Sequence, residues 1–251
     1  MSLMVAGVDN IWLFLGLLPV IAFLYSSVGH GGASGYLALM ALFAFPATFM
    51  RPSALLLNIF VAGISFYYFW KNGHFSWKLF YPFALSSIPA SFLGGMLNVN
   101  PALYKQILGI LLIFAVLRLL GFFGKQTTNE PKPINMYLAF AFGGLIGLFS
   151  GMIGIGGGII LSPLILLLGW GGVKETAAVS ALFIWVNSMA GMTGLLYTGM
   201  EIPVQSFLFV FFAVLGGAVG GYYGSSKIKN VKLRYLLGLV LATASVKLLF
   251  V

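Results

Sequence analysis

The chain has 251 residues, of which 61% are hydrophobic and only 7% charged. A soluble domain carries roughly 25% charged residues, so these charges cannot coat a water-facing surface and the chain reads as an all-α, polytopic membrane protein. Its net charge of +9 is spread over the short loops between apolar runs, as topology charge is, so no nucleic-acid partner is expected.

In chain order the apolar runs are Ile11–Val28, Ser34–Phe45, Pro52–Trp70, Leu79–Leu97 and Pro101–Phe123, then Met136–Ile153, Gly157–Leu168, Thr176–Tyr197, Pro203–Tyr223 and Val231–Val251. A spanning helix needs ~17–25 residues. Eight runs reach that length. Ser34–Phe45 and Gly157–Leu168 do not, and are expected to be half-helices or the return arms of re-entrant hairpins. The first run follows Asp9 with no Lys or Arg ahead of it and no small-residue cleavage site, so no signal peptide is expected. The longest polar piece, Gly124 to Asn135, reads as a linker between a first membrane unit, 1–123, and a second, 136–251.

The two units repeat. Gly29-His30-Gly31-Gly32 matches Gly154-Ile155-Gly156-Gly157 at an offset of 125, Gly94-Gly95 matches Gly220-Gly221 at 126, and Ser53-Ala54-Leu55 matches Ser180-Ala181-Leu182 at 127. Asn58 matches Asn187, Leu108-Gly109 matches Leu237-Gly238, and Arg118-Leu119-Leu120 matches Lys247-Leu248-Leu249, all at 129. Each unit holds five runs, an odd number, so the second is expected upside down: an inverted repeat. With the linker in the cytoplasm, Lys71, Lys78, Arg118, Lys125, Lys132, Lys174, Lys227, Lys229, Lys232 and Arg234 lie inside, and Arg51, Lys105 and Lys247 outside. The positive-inside rule then places both termini outside.

Two glycine-dense stretches interrupt the runs: Ser27-Val28-Gly29-His30-Gly31-Gly32-Ala33-Ser34-Gly35 and Gly151-Met152-Ile153-Gly154-Ile155-Gly156-Gly157-Gly158. Each such glycine would cost a continuous helix about 1 kcal/mol against alanine. Each stretch therefore reads as a helix break, and in lipid a break is tolerated only where protein or a water-filled cavity covers it. A helix N-terminus carries about half a positive charge and free N–H groups, so two breaks facing one another near the midplane would bind an anion through backbone alone. No Lys or Arg stands in the middle of any run. By contrast, Gly94-Gly95, Gly216-Gly217 and Gly220-Gly221 read as close helix packing.

Around the breaks, His30 is the one deeply placed ionisable group of the first unit. It would bind an anion or relay a proton, or sit neutral on a freed carbonyl. Its repeat counterpart is Ile155. Asn58 and Asn187 either tie the broken backbone or donate to a substrate. Ser26, Ser27, Ser34 and Ser150 either donate hydroxyls or bond back to their own helix. Loop His74 is expected to be solvated. Enzymatic chemistry is not expected. The acids Asp9, Glu130, Glu175 and Glu201 stand at termini or loops. There is no zinc helix, and the glycines lack the Lys-Ser/Thr of a phosphate loop. Cysteine is absent, which rules out disulfides and thiolate sites.

Ser150-Gly151-Met152-Ile153-Gly154-Ile155-Gly156-Gly157-Gly158, followed by Pro163, resembles the signature of the TauE/SafE (TSUP) sulfite exporters. Val28-Gly29-His30-Gly31-Gly32 with Arg51-Pro52-Ser53-Ala54 and Asn58 resembles its weaker first copy, in which Ala33 and Ala38 replace the third glycine and the proline. The resemblance runs over nearly the whole chain. It implies a secondary transporter of a prokaryotic inner membrane that exports small sulfur-containing anions such as sulfite, sulfoacetate and other organosulfonates. The substrate residues expected are Ser27, Gly29, His30, Gly31, Gly32, Asn58, Ser150, Gly151, Gly154, Gly156, Gly157, Gly158 and Asn187. No cofactor or metal is expected beyond a coupling proton or sodium ion. The expected partners are the small anion, the lipid bilayer and a second copy of the chain. An anion channel or uptake transporter of the same architecture is the alternative reading, and a membrane-embedded enzyme a more distant one.

Overall fold

The computed structural model describes residues 10–119 and 131–226 together with 242, 245, 246 and 249. Nine helices lie within the first two stretches: α1 Ile11–Ser26, α2 Ala33–Leu42, α3 Ala47–Lys71, α4 Trp77–Met96, α5 Pro101–Leu119, α6 Met136–Ile153, α7 Gly158–Leu168, α8 Val173–Tyr197 and α9 Gln205–Ser226. No strand occurs among the described residues. Most of the tenth run, Val231–Val251, and most of the linker lie outside them, as do Asp9, Glu130 and the cations Lys125, Lys227, Lys229, Lys232, Arg234 and Lys247.

Five helices, α3, α4, α6, α8 and α9, are long and apolar enough to cross a membrane. The first run falls short of the expected length. Its helix has 16 residues, because Ser27 and Val28 already belong to the turn. The outer surface carries the aromatic side chains of a bilayer protein. Trp70, Trp77 and Tyr137 are exposed at the end of α3 and the starts of α4 and α6, and Trp12 and Tyr197 at the start of α1 and the end of α8.

Both short helices turn back. The Phe14 ring of α1 meets Phe43 and Phe45, just past α2, at centroid distances of 5.6 and 5.1 Å, and Gly35 of α2 packs on Ile21 and Tyr25 of α1. Thus α1 and α2 form a hairpin whose tip is the first glycine stretch. In the second hairpin, α7 ends at Gly169, whose carbonyl accepts from Lys132 N–H at 2.8 Å, just ahead of α6. Its tip is the second stretch.

Glycine ribs set the helix directions. Gly143, Gly147 and Gly151 of α6 press against Phe83, Ser87 and Ser91 of α4, in rising order on both, so α4 and α6 run parallel. Gly216, Gly220 and Gly224 of α9 press in the same way on Pro19 and Phe23 of α1 and on Ser27 just past its end. A Cβ at any of these six positions would run into a backbone oxygen of the partner, so the backbones touch along two small-xxx-small seams. At the centre α3 and α8 cross antiparallel: Leu55 faces Gly191, Asn58 meets Ser188, and Gly63 faces Trp185. Val61 and Ser65 of α3 meet Gly217 and Gly221 of α9 in parallel. Hence α1, α3 and α9 point one way and α4, α6 and α8 the other. One end of the molecule gathers Lys71, Lys78, Lys132 and Lys174, and the opposite end gathers Arg51 and Lys105.

Candidate functional site

The two hairpin tips reach past one another beside the α3–α8 crossing. Half-helix α2 starts from Gly32 (φ 99°) and α7 from Gly157 (φ 80°), both left-handed, and neither N-cap supplies a side-chain hydrogen bond. The first N–H groups of such helices have no acceptor one turn back, although in α7 that of Ile160 bonds Gly157 O at 3.1 Å. The glycine before each cap touches one asparagine. A Cβ on Gly31 would lie 2.5 Å from Asn58 Oδ1, and a Cβ on Gly156 would lie 2.8 Å from Asn58 Nδ2. Either orientation of the amide therefore presents a polar atom to each break. Asn58 is fully buried. Its Nδ2 donates weakly to Ser188 Oγ at 3.3 Å, and its Oδ1 has no partner.

His30 joins the tips directly. Its Nδ1 lies 2.9 Å from Val28 O, while its Nε2 lies 3.2 Å from Gly158 O and 3.0 Å from Ser162 Oγ. Ser162 Oγ continues to Ser180 Oγ at 2.7 Å. A carbonyl oxygen only accepts, so Nδ1 carries a proton. The neutral ring then accepts at Nε2 from Ser162, whereas the protonated ring donates there to Gly158 O. The imidazole can thus hold or release a proton between the first tip and the first residue of α7, with the serine pair turning to suit.

The remaining expected residues divide. Gly29 (φ 77°) packs on Ala177, Gly32 on the Tyr36 ring, Gly157 on Ile146 and Phe183, and Gly158 on Ile184. Ser27 Oγ turns back to Leu24 O at 2.8 Å, and Ser34 Oγ donates to Tyr25 OH at 2.7 Å. Gly151 lies inside α6, its open face filled by Ser91 and Gly95 of α4, so its part is helix packing and a carbonyl. Asn187 Nδ2 bonds its own helix at Phe183 O, 2.8 Å away. The sequence match of Asn58 with Asn187 is not the structural one: Ile184 and Ser188 stand to the second tip as Asn58 and Ala62 stand to the first. Among the described residues, seven side-chain atoms are buried without a partner: Asn58 Oδ1, Asn187 Oδ1, Ser26 Oγ, Ser150 Oγ, Tyr36 OH, Ser87 Oγ and Thr176 Oγ1. Buried polar groups are normally satisfied, so these are groups that a bound molecule or water would complete.

Arg51 corrects a further expectation. It is not an outer loop charge but a buried residue in the first turns of α3, 6% exposed. Its Nε donates to Gly151 O at 3.2 Å, Nη1 to Leu97 O at 2.9 Å, and Nη2 to Gly94 O and Gly95 O at 2.9 and 2.6 Å. Tyr104 OH donates to Ile153 O at 3.1 Å beside it. His74, expected in solvent, is half-buried against Ser225 O at 3.3 Å. Nothing in the sequence marks Arg51, Tyr104, Ser162, Ser180 or Ser188 as a site residue. Arg51 and Ser180 do stand inside matched segments, and Ser162 directly precedes Pro163.

The model of the sulfite exporter TauE/SafE family matches residues 13–248. The chain belongs to the TauE/SafE family. A Sinorhizobium fredii protein named probable membrane transporter protein y4hK is 35% identical over 234 residues, covering 92% of this chain and 95% of the relative. No solved structure matches. This TauE/SafE protein is a multi-pass membrane transporter and not an enzyme.

Proposed function

We propose that the protein is a secondary transporter that exports small sulfur-containing anions, sulfite or organosulfonates, across a prokaryotic inner membrane. The observation that carries this reading is that two uncapped half-helix N-termini, from hairpins of opposite direction, converge on the single buried amide of Asn58. Such ends hold anionic oxygens through backbone N–H groups. The family name supplies the sulfur anion. The opposed directions of α1 and α6, α3 and α8, and α4 and α9 support two inverted repeats, 1–123 and 136–251, joined by a cytoplasmic linker over 124–135. The end bearing Lys71, Lys78, Lys132 and Lys174 is then cytoplasmic, and both termini lie outside.

The glycine seams join α1 to α9 and α4 to α6, so each tightly packed unit takes helices from both repeats. Alternating access is therefore motion of the α1–α3–α9 unit against the α4–α6–α8 unit about the α3–α8 crossing, rather than of one sequence half against the other. Flux into proteoliposomes of sulfite, thiosulfate, sulfoacetate, taurine and sulfate, under imposed proton and sodium gradients in turn, tests the reading. Saturable uptake with counterflow supports a carrier. Flux at channel rates without saturation supports an anion channel, and silence for the whole panel refutes the substrate class.

A further inference from the structure

A helix break brings two opposite poles together. The arm that ends there carries about half a negative charge on its last carbonyls, and the arm that starts there about half a positive charge on its first N–H groups. A bound anion feels both. At the tip of the second hairpin the ending arm is α6, and α4 ends beside it, parallel and in contact. Two such ends amount to about one negative charge.

Arg51 sits on both. Four of its five N–H groups go to carbonyls, three at the end of α4 (Gly94, Gly95, Leu97) and one in the last turn of α6 (Gly151). No Asp or Glu stands on α3, α4, α5, α6 or α7. The single guanidinium charge is thus matched to the two helix ends rather than to an acid. Gly154, the first residue beyond α6, rests on Arg51 itself: a Cβ there would lie 3.1 Å from Arg51 O and 3.5 Å from its Cγ.

The first hairpin is built otherwise. The place against Gly29 is taken by Ala177. The last carbonyls of α1 are met by hydroxyls, Ser27 Oγ on Leu24 O at 2.8 Å and Ser65 Oγ on Ser26 O at 3.2 Å. Lys174 Nζ does reach Ser225 O of neighbouring α9 at 3.0 Å, but Lys174 is exposed and its charge is screened by water and salt. So the negative pole meets a buried fixed charge at the second tip, and at the first only hydroxyls and the Nδ1–H of His30 on Val28 O. Asn58 Oδ1, between the tips, and Ser150 Oγ, in the last turn of α6, are buried without a hydrogen-bond partner.

We infer that Arg51 is the positioning residue that makes the second hairpin the anion-holding one, by cancelling the ends of α4 and α6 without itself touching the substrate. The inference rests on the anion-transport reading. Since the cancelled field acts in proportion to charge, its loss weakens a dianion by the square of the factor for a monoanion.

The test compares KM for methanesulfonate, a monoanion, with KM for sulfoacetate, a dianion, in proteoliposomes of wild type, Arg51→Gln, Arg51→Lys and Tyr104→Phe. Arg51→Gln is expected to raise KM about tenfold for the monoanion and about a hundredfold for the dianion. Arg51→Lys keeps the charge but not the fork of donors, and should retain the wild-type ratio of the two KM values. Tyr104→Phe, which removes only a brace, should lower the melting temperature with the ratio unchanged. Should Arg51→Gln not fold, Arg51→Lys decides alone: a retained ratio supports the inference and a lost one overturns it. Equal shifts for both anions in Arg51→Gln, or a changed ratio in Tyr104→Phe, overturn this inference while leaving the transporter reading intact. A wild type that moves neither anion, nor any member of the panel above, overturns both.

Discussion

Gly156→Ala tests the centre of the site most directly, because two separable penalties meet there. The residue has φ +76°, where a side chain costs about 1–2 kcal/mol. Its Cβ would also lie 2.6 Å from Ile184 Cγ2, 2.8 Å from Asn58 Nδ2 and 3.2 Å from Ser188 Oγ. Overpacking of this kind costs about 1–3 kcal/mol, so the sum is about 2–5 kcal/mol. Gly73 isolates the first penalty: φ is +73° there, but a methyl group added at that position would meet nothing within 4 Å. Melting of the purified protein and anion flux would be measured for both variants and for Gly156→Ala with Ile184→Ala. Gly73→Ala should lose only the backbone share and transport normally. Gly156→Ala should lose more stability and most of its transport, because Asn58 must move. The double variant should recover part of the stability and little of the transport. If Gly156→Ala melts like Gly73→Ala and transports with wild-type KM, the reasoning about Asn58 and the two breaks is wrong.

Ser162→Ala leaves Ser180 Oγ without its partner and removes a hydroxyl from His30 Nε2; a loss of about 1–3 kcal/mol is expected, read by thermal melting, with the pH dependence of flux altered. His30→Gln should reduce flux and flatten its dependence on an imposed proton gradient, and an unchanged response would exclude His30 from coupling. Gly220→Leu should prevent assembly, because Phe23 O blocks any side chain there, whereas Gly144→Ala, whose Cβ would be 3.6 Å from Ser86 Cβ, should purify like wild type by size exclusion. Ser53 and Ser206 lie 2.7 Å apart, Oγ to Oγ, and the chain has no cysteine. Oxidising Ser53→Cys with Ser206→Cys should therefore tie α3 to α9 within one moving unit and leave transport intact. Inactivation would favour motion between the sequence halves instead.

The helical class and the two breaks are readable because composition and glycine spacing are local properties. Met136–Ile153 is legible to the residue, since Asn135 caps its start through Leu138 N–H at 3.1 Å. The start of α3 is not. The apolar run begins at Pro52, yet the helix starts at Ala47 and carries Pro52 inside it, with Arg51 buried by carbonyls of α4 and α6. That pairing joins segments far apart along the chain, which no periodicity reports. The Asn58–Asn187 match fails for a related reason. Identity along the sequence rewards two asparagines, while the packing of Gly31 and Gly156 fixes a register that sets Asn58 opposite Ile184. Ser27 takes one of the two roles that its place beside a break allowed, folding back on Leu24 O.

The two glycine seams also bear on how the molecule is made. Helix α1 leaves the ribosome before the other eight described helices, and the groove it fits is on α9, the last of the nine. Until α9 is synthesised, Pro19, Phe23 and Ser27 have only lipid or the insertion machinery to rest against. Truncation before α9 should therefore yield a chain that inserts but is degraded, even though it contains both hairpin tips complete. Biogenesis of this protein is a matter of holding α1 in reserve until α9 arrives.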